Sequence, residues 1–96
     1  SIPVKEIVIK IEYNIVYQEA FMNIYDKLEQ LSLTESEKIL IDYVVEYSED
    51  IMNMSAADIS KNSYVSVSTI YRIIDKLELS GLQAFKSHIH FDRERY

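Results

Sequence analysis

At 96 residues, with 48% hydrophobic residues, the chain is long enough for one domain with a modest core. One glycine and one proline are too few for a turn-rich β-sandwich or barrel, and the absence of cysteine excludes disulfides, thiolate zinc sites and cysteine nucleophiles. We therefore expect an all-α fold.

The apolar runs are short, and none approaches the roughly 20 residues that span a bilayer. The N-terminus lacks the basic flank and long apolar run of a signal peptide. These features predict a soluble cytoplasmic protein that does not contact a membrane.

The net charge of −6 opposes binding to nucleic acid, but the charges are unevenly distributed. Residues 1–54 contain four basic and eleven acidic side chains, whereas residues 55–96 contain six basic and five acidic ones. Between Lys61 and Ile74 there are two positive charges and no negative one. Because local potential governs docking, the C-terminal half is the part suited to an anionic partner.

The N-terminal segment fits two structures. Residues 4–13 alternate as a strand would, yet their apolar positions also fit one face of a helix. We treat residues 1–15 as an extension whose structure the pattern leaves open. A segment this apolar requires a partner surface, such as a second copy of the chain.

A helical pattern then runs from about residue 16 to residue 31. Thr34 and Glu37 have the spacing of a capping box and predict the start of a second helix, which should end near Ser48. Its apolar residues at helical spacing are Ile39, Leu40, Tyr43, Val44 and Tyr47. Residues 49–53 are typical of a short helical turn.

A second capping box, Ser55 with Asp58, opens a short helix through about Asn62, and residues 63–65 leave room only for a tight turn. Ser66 then caps a helix that runs to about residue 79. A last helix from about residue 82 has three residues expected to face inward, Phe85, Ile89 and Phe91. Two short helices joined by so short a turn form a helix-turn-helix, which we place at residues 55–79 in a domain spanning 16–91. The predicted architecture is thus a small bundle of about five helices.

The second helix of this motif, at about residues 66–79, should separate its side chains by chemistry. At about 100° per residue, one side contains Ile70, Ile73, Ile74 and Leu77. The other contains Ser68, Tyr71, Arg72, Asp75 and Lys76, with Thr69 at its edge. Hydroxyls and a guanidinium suit phosphates and base edges, and the backbone N–H groups around Val67 and Ser68 suit a phosphate. We therefore expect Arg72→Ala to weaken specific DNA binding with little loss of stability.

Four stretches match a known family: LTESEKILIDYVVEYSEDIMNMS (33–55), ADIS (57–60), VSVSTIYRIIDKL (65–77) and LSGLQAFK (79–86). The most specific parts are the runs Ser66–Arg72 and 80–86. Residues 22–86 thereby resemble the N-terminal domain of RpiR-type (sugar-isomerase-domain-containing) transcriptional regulators. The resemblance implies a dimeric regulator of sugar-phosphate metabolism genes that binds double-stranded DNA. It also implies a sugar-isomerase-like domain that senses a phosphorylated sugar and is absent from this chain.

The resemblance also implies roles for individual residues. Ser66 would cap the recognition helix, and Ser68, Thr69 and Arg72 lie where the family contacts DNA. Lys76 and Lys86 match basic positions suited to flanking phosphates.

Three positions depart from the family pattern. Tyr64 replaces a usual glycine, so a positive φ there would cost on the order of 1 kcal/mol or more. Asp75 replaces a basic residue, and its charge would oppose a nearby phosphate. Glu78 replaces another glycine and is expected to extend the recognition helix.

Other chemistries find little support. His88 and His90 are rotated by about 200° on a helix and cannot chelate one ion together, so we expect no metal site. No nucleophile–base pair or phosphate loop is present, so we expect no catalytic residue and no cofactor. The carboxylates at Glu35 and Glu37 are interpreted as a solvated face.

Two functions remain. A DNA-binding domain would work as a homodimer, because one short recognition helix on an acidic domain makes few contacts. Two copies would match half-sites about one helical turn apart. The alternative is an acidic helical module for protein interaction or dimerisation without DNA binding. The sign of the potential over Ser68, Tyr71 and Arg72 distinguishes the two.

Overall fold

The computed structural model describes residues 23–95. The helices are α1 (Ile24–Gln30), α2 (Glu35–Glu46), α3 (Ala56–Ser63), α4 (Val67–Lys76) and α5 (Leu82–Phe91), with short 3-10 helices at Asp50–Asn53 and Asp92–Arg95. This part of the chain has no strand, which confirms the all-α prediction. The extension at 1–15 and the expected start of the first helix near residue 16 lie outside the described residues.

Local side-chain caps fix where the helices begin. Thr34 Oγ1 accepts from the N–H of Glu37 at 3.2 Å, and the Glu37 carboxylate accepts from the N–H of Thr34 at 2.8 Å. Ser55 and Asp58 make the same reciprocal pair at 3.1 and 3.0 Å. Both predicted capping boxes are confirmed, and each satisfies N–H groups that the first helical turn leaves without partners.

The core lies where α4 meets α2, α3 and α5. The four aliphatic residues predicted to face inward from the recognition helix are all buried, namely Ile70, Ile73, Ile74 and Leu77. They join a cluster with Leu40, Val44, Ile51, Ile59, Phe85 and Ile89. At about 1.5–3 kcal/mol for each large apolar side chain, this burial is the main force that holds α4 in place.

Among the described helices, the first, α1, is tied to the last, α5. The N–H of Ile24 donates to the Asp92 carboxylate at 3.0 Å, and the Asn23 side-chain amide donates to the Asp92 carbonyl at 2.8 Å. The Tyr25 hydroxyl donates to the carbonyl of Ile89. These contacts dock α1 against the end of α5.

Three residues predicted to face inward are exposed instead: Ile39 is 53% exposed, Tyr47 is 41% exposed and Phe91 is 58% exposed. The buried stripe of α2 follows Glu37, Leu40 and Val44, and Ile39 is rotated by about 200° from the first of these. On α5 the buried positions include Phe85 and Ile89, and Phe91 is rotated by a similar angle from Ile89. Helical spacing alone was compatible with burial of Ile39 and Phe91. The packing of the helices instead buries the faces that contain Leu40 on α2 and Ile89 on α5.

Positive backbone φ angles lie on both sides of α4. Tyr64 has φ 61° and ψ 28°, which confirms the left-handed conformation considered for this position, and its side chain is 95% exposed. Glu78 has φ 58°, and the N–H of Leu79 donates to the carbonyl of Ile74 at 3.1 Å. The expectation that Glu78 extends the recognition helix is wrong, because α4 ends at Lys76 in a left-handed C-terminal turn.

Replacing Tyr64 tests the strain in the turn. We expect Tyr64→Gly to raise the free energy of unfolding by about 1 kcal/mol relative to Tyr64→Ala, because only alanine retains a Cβ in the left-handed region. Both variants lose the same exposed ring, so their difference in urea denaturation isolates the backbone effect. Equal stabilities would contradict it.

Candidate nucleic-acid interface

Helices α3 and α4 form the predicted helix-turn-helix. The connection is only Tyr64–Ser66, and the side chain of Val65 within it is 4% exposed. Because Val65 anchors the bend in the core, the N-terminus of α4 has a fixed direction. The structure therefore confirms the tight turn that was predicted at residues 63–65.

The first turn of α4 contains a small hydroxyl network. Ser66 Oγ accepts from the N–H of Thr69 at 3.2 Å and lies 2.9 Å from Thr69 Oγ1. Ser66 is exposed, whereas Thr69 is only 4% exposed. The structure therefore places Thr69 inside the cap and away from the open face, at whose edge the helical spacing had placed it.

The open face of α4 contains Val67, Ser68, Tyr71 and Arg72 in exposed positions. Tyr71 is 45% exposed, and no carboxylate lies on α4 before Asp75. The N-terminal half of the helix thus presents the hydroxyls of Ser68 and Tyr71 and the guanidinium of Arg72. These groups can donate to phosphates and to base edges.

Both basic side chains of α4 are bound to one carboxylate on α2. Arg72 Nε donates to Glu37 Oε2 at 3.1 Å, and Lys76 Nζ donates to Glu37 Oε1 at 2.7 Å. The Arg72 side chain is 47% exposed and that of Lys76 is 33% exposed, whereas Glu37 has no exposed side-chain surface. Lys76 Nζ also donates to the carbonyl of Ser32 at 3.3 Å, and both cationic side chains keep partly exposed surface that a ligand could contact.

The interpretation of Glu37 as part of a solvated face is wrong. Burial by itself would raise the pKa of its carboxyl, but hydrogen bonds from Lys76, from the N–H of Thr34 and from Arg72 outweigh that effect and lower the pKa to about 2. Glu37 is thus an internal anion that holds the recognition helix against α2. Its spacing of three and seven residues from Leu40 and Val44 was the signal in the sequence that could have identified it as inward-facing.

Lys86 also differs from its expected position. It is 7% exposed, and its ammonium donates to the carbonyls of Met54 at 2.8 Å and Met52 at 3.3 Å. The charge therefore satisfies carbonyls at the end of the 3-10 helix before α3. The structure does not place it on the open face with Arg72.

The histidines of α5 have separate environments. His88 Nδ1 lies 2.9 Å from Asp92 Oδ2, and His90 Nδ1 is buried. Between residues 23 and 95, no cluster of three histidine or acidic side chains is suited to hold a metal ion.

The depressed pKa of Glu37 predicts a pH dependence of stability. Its ion pairs stabilise the fold fully above about pH 4.5, and this contribution is lost as pH falls towards about 2, where the carboxylate becomes protonated. We expect the free energy of unfolding to fall less over this range in Glu37→Gln than in the unmodified chain.

The matched control is Glu35→Gln, which removes an equal charge from an 88% exposed side chain on the same helical turn. Its pH profile should follow that of the unmodified protein in denaturant titrations. If the free energy of unfolding changed with pH by the same amount in all three proteins, Glu37 would not be the source of this pH dependence.

Replacing Lys86 tests its internal role. We expect Lys86→Met to lower the free energy of unfolding by about 1–3 kcal/mol, because two carbonyls lose a charged donor. At temperatures where the variant is still folded, the salt dependence of its DNA affinity should equal that of the unmodified protein. A decrease of about one in the slope of log affinity against log salt would instead indicate a phosphate contact.

Comparisons with known proteins agree with this geometry. The model of the helix-turn-helix domain of the rpiR family matches residues 22–93, which include all five described helices. An uncharacterized HTH-type transcriptional regulator of Clostridium perfringens (strain 13 / Type A) is 39% identical over 67 residues. That match covers 68% of this chain and 24% of the relative, so the chain spans about a quarter of the relative's length.

No solved structure matches the chain significantly. Among residues 23–95, no helix combines the length and apolar character needed to cross a membrane. The family match extends over most of the chain and includes both helices of the motif and the turn between them. The chain therefore belongs to the rpiR family of DNA-binding helix-turn-helix domains.

Proposed function

We propose that this domain binds double-stranded DNA in a sequence-specific manner, with the N-terminal half of α4 in the major groove. The observation that carries the proposal is the open face of α4, where Ser68, Tyr71 and Arg72 are exposed together without a carboxylate. A recognition helix in this arrangement contacts bases through its N-terminal residues.

The residues of the interface have different roles in this proposal. The exposed hydroxyl of Ser66 and the N–H groups near Val67 and Ser68 bind a phosphate. Ser68, Tyr71 and Arg72 contact base edges, and Lys76 contacts a flanking phosphate through its open side. Thr69 and Lys86 act from inside the fold, by supporting the cap and the segment before α3.

The domain acts as a homodimer in this proposal. A single recognition helix with two partly neutralised cations gives few contacts, and the net charge of −6 weakens nonspecific attraction to DNA. Two copies bound to half-sites about one helical turn apart would double the contacts.

The biological setting is also proposed. The domain would serve a cytoplasmic bacterial transcription regulator of sugar or sugar-phosphate metabolism genes, without enzymatic activity of its own. A phosphorylated sugar would act through a sugar-isomerase-like domain elsewhere in the regulator. The family match and the relative's description as a transcriptional regulator support this setting.

The alternative is an acidic module that binds a protein partner or dimerises without DNA. The exposed side chains of Ile39 and Phe91 favour such contacts. The two functions differ in their response to nucleic acid, so one experiment separates them.

That experiment selects preferred sites from a library of random duplexes and measures affinity by fluorescence anisotropy at two salt concentrations. We expect a recurrent sequence preference and an affinity that weakens as salt rises. No binding at all would favour the protein-interaction module, and binding without a sequence preference would contradict sequence-specific recognition.

Arg72→Ala tests the recognition face. Loss of the guanidinium should reduce the ratio of specific to nonspecific affinity by roughly tenfold, the effect of one good base contact. The variant should also be less stable, contrary to the sequence-based expectation, because the buried carboxylate of Glu37 loses a partner.

The matched control is Arg93→Ala, since Arg93 donates to the carbonyl of Val45 at 3.0 Å and lies beyond the helix-turn-helix. Arg93→Ala should retain the ratio of specific to nonspecific affinity of the unmodified protein. Gel-shift titrations with preferred and scrambled duplexes measure this ratio at a temperature where all variants are folded. An unchanged ratio in Arg72→Ala would exclude Arg72 from sequence recognition.

A further inference from the structure

We infer that Glu37 is a specificity-determining positioning residue that presets Arg72 to bind a guanine. It anchors the guanidinium through Nε, so that the end formed by Nη1 and Nη2 remains available for the guanine edge. This inference rests on the proposed function, since it concerns the same DNA-binding face.

Arg72 is held at two points. Its Nε donates to Glu37 Oε2 at 3.1 Å, and its Nη2 lies 3.4 Å from Thr69 Oγ1. Thr69 Oγ1 in turn lies 2.9 Å from Ser66 Oγ, the cap of the recognition helix. The orientation of the guanidinium is thus fixed by α2 on one side and by the first turn of α4 on the other.

The remaining donors have the chemistry that guanine requires. Within residues 23–95 the Nη1 group of Arg72 has no hydrogen-bond partner, and Nη2 has only the long contact to Thr69. Guanine presents two adjacent acceptors, O6 and N7, in the major groove, and a planar guanidinium can donate to both. An Arg72 that is already ordered loses less side-chain entropy on binding.

Glu37 is suited to this role because it is itself immobilised. Its side chain is fully buried, and Oε1 also accepts from Lys76 at 2.7 Å and from the N–H of Thr34 at 2.8 Å. A carboxylate beneath a DNA-binding face reduces attraction to phosphates. Its presence there therefore favours discrimination between sequences over affinity for any sequence.

The test compares Glu37→Gln with Glu35→Gln, two variants on one helical turn that remove the same charge. Both should bind scrambled duplexes slightly more tightly, since each removes one negative charge. Only Glu37→Gln should lower the ratio of specific to nonspecific affinity, by roughly tenfold. A ratio that Glu37→Gln leaves unchanged overturns the inference.

A double-variant cycle shows whether Glu37 acts through Arg72. In an Arg72→Ala background, Glu37→Gln should have no further effect on the ratio, because the group that it positions is gone. A full additional loss would mean that Glu37 acts through the fold in general, which would overturn the positioning role.

Modified DNA supplies a readout that does not depend on the folding of Glu37→Gln. Replacing guanines of the preferred site with 7-deazaguanine removes the N7 acceptor, and one such replacement should weaken binding of the unmodified protein several-fold. Thr69→Val removes the second contact to Arg72. In this variant the loss of affinity caused by 7-deazaguanine should be smaller. Unchanged affinity for 7-deazaguanine at every guanine overturns the inference.

The two hypotheses fail in different ways. If the unmodified domain shows no sequence preference, the proposed function fails. If it shows a preference that Arg72→Ala abolishes and Glu37→Gln preserves, only the positioning role of Glu37 fails.

Discussion

The interface of the recognition helix depends on one buried carboxylate. Glu37 has no exposed side-chain surface, and it accepts hydrogen bonds from Arg72, Lys76 and the N–H of Thr34. An isolated ion in such a place would be strongly destabilising, so each of these donors contributes to the stability of the fold. The same contacts that satisfy the carboxylate bind α2 to α4 and orient the two cations. In the proposed function, stability and recognition are therefore coupled at this residue.

This arrangement explains how a chain of net charge −6 can present a face suited to DNA. The acidic side chains are concentrated in the first half of the sequence, and the face of α4 from Ser66 to Ile74 has none. The carboxylate of Glu37 lies beneath that face and is directed inward, where it binds Arg72 and Lys76. In the proposed function, weak general attraction to phosphates would leave most of the affinity to contacts that depend on sequence, and a dimer would multiply them.

Two left-handed residues set the limits of the recognition helix. Tyr64 precedes α4 and Glu78 follows it, with φ angles of 61° and 58°. Glycine would adopt these angles with less strain, so the chain tolerates a cost of about 1 kcal/mol at each turn. The burial of Val65 on one side and of Leu77 on the other holds both turns in place. Strain at the ends of α4 is thus offset by the packing that fixes its direction.

The sequence by itself determined the elements of the motif, because capping boxes and helical spacing act between residues three or four apart. Thr34 with Glu37, Ser55 with Asp58, and the inward Ile70, Ile73 and Ile74 were all predicted from such local patterns. Only the tertiary structure decided the state of the charged side chains. Glu37 meets Arg72 and Lys76 across 35 and 39 residues, and Lys86 reaches carbonyls more than 30 residues away. Whether a charge is solvated or paired depends on neighbours from other helices, and local spacing cannot reveal them.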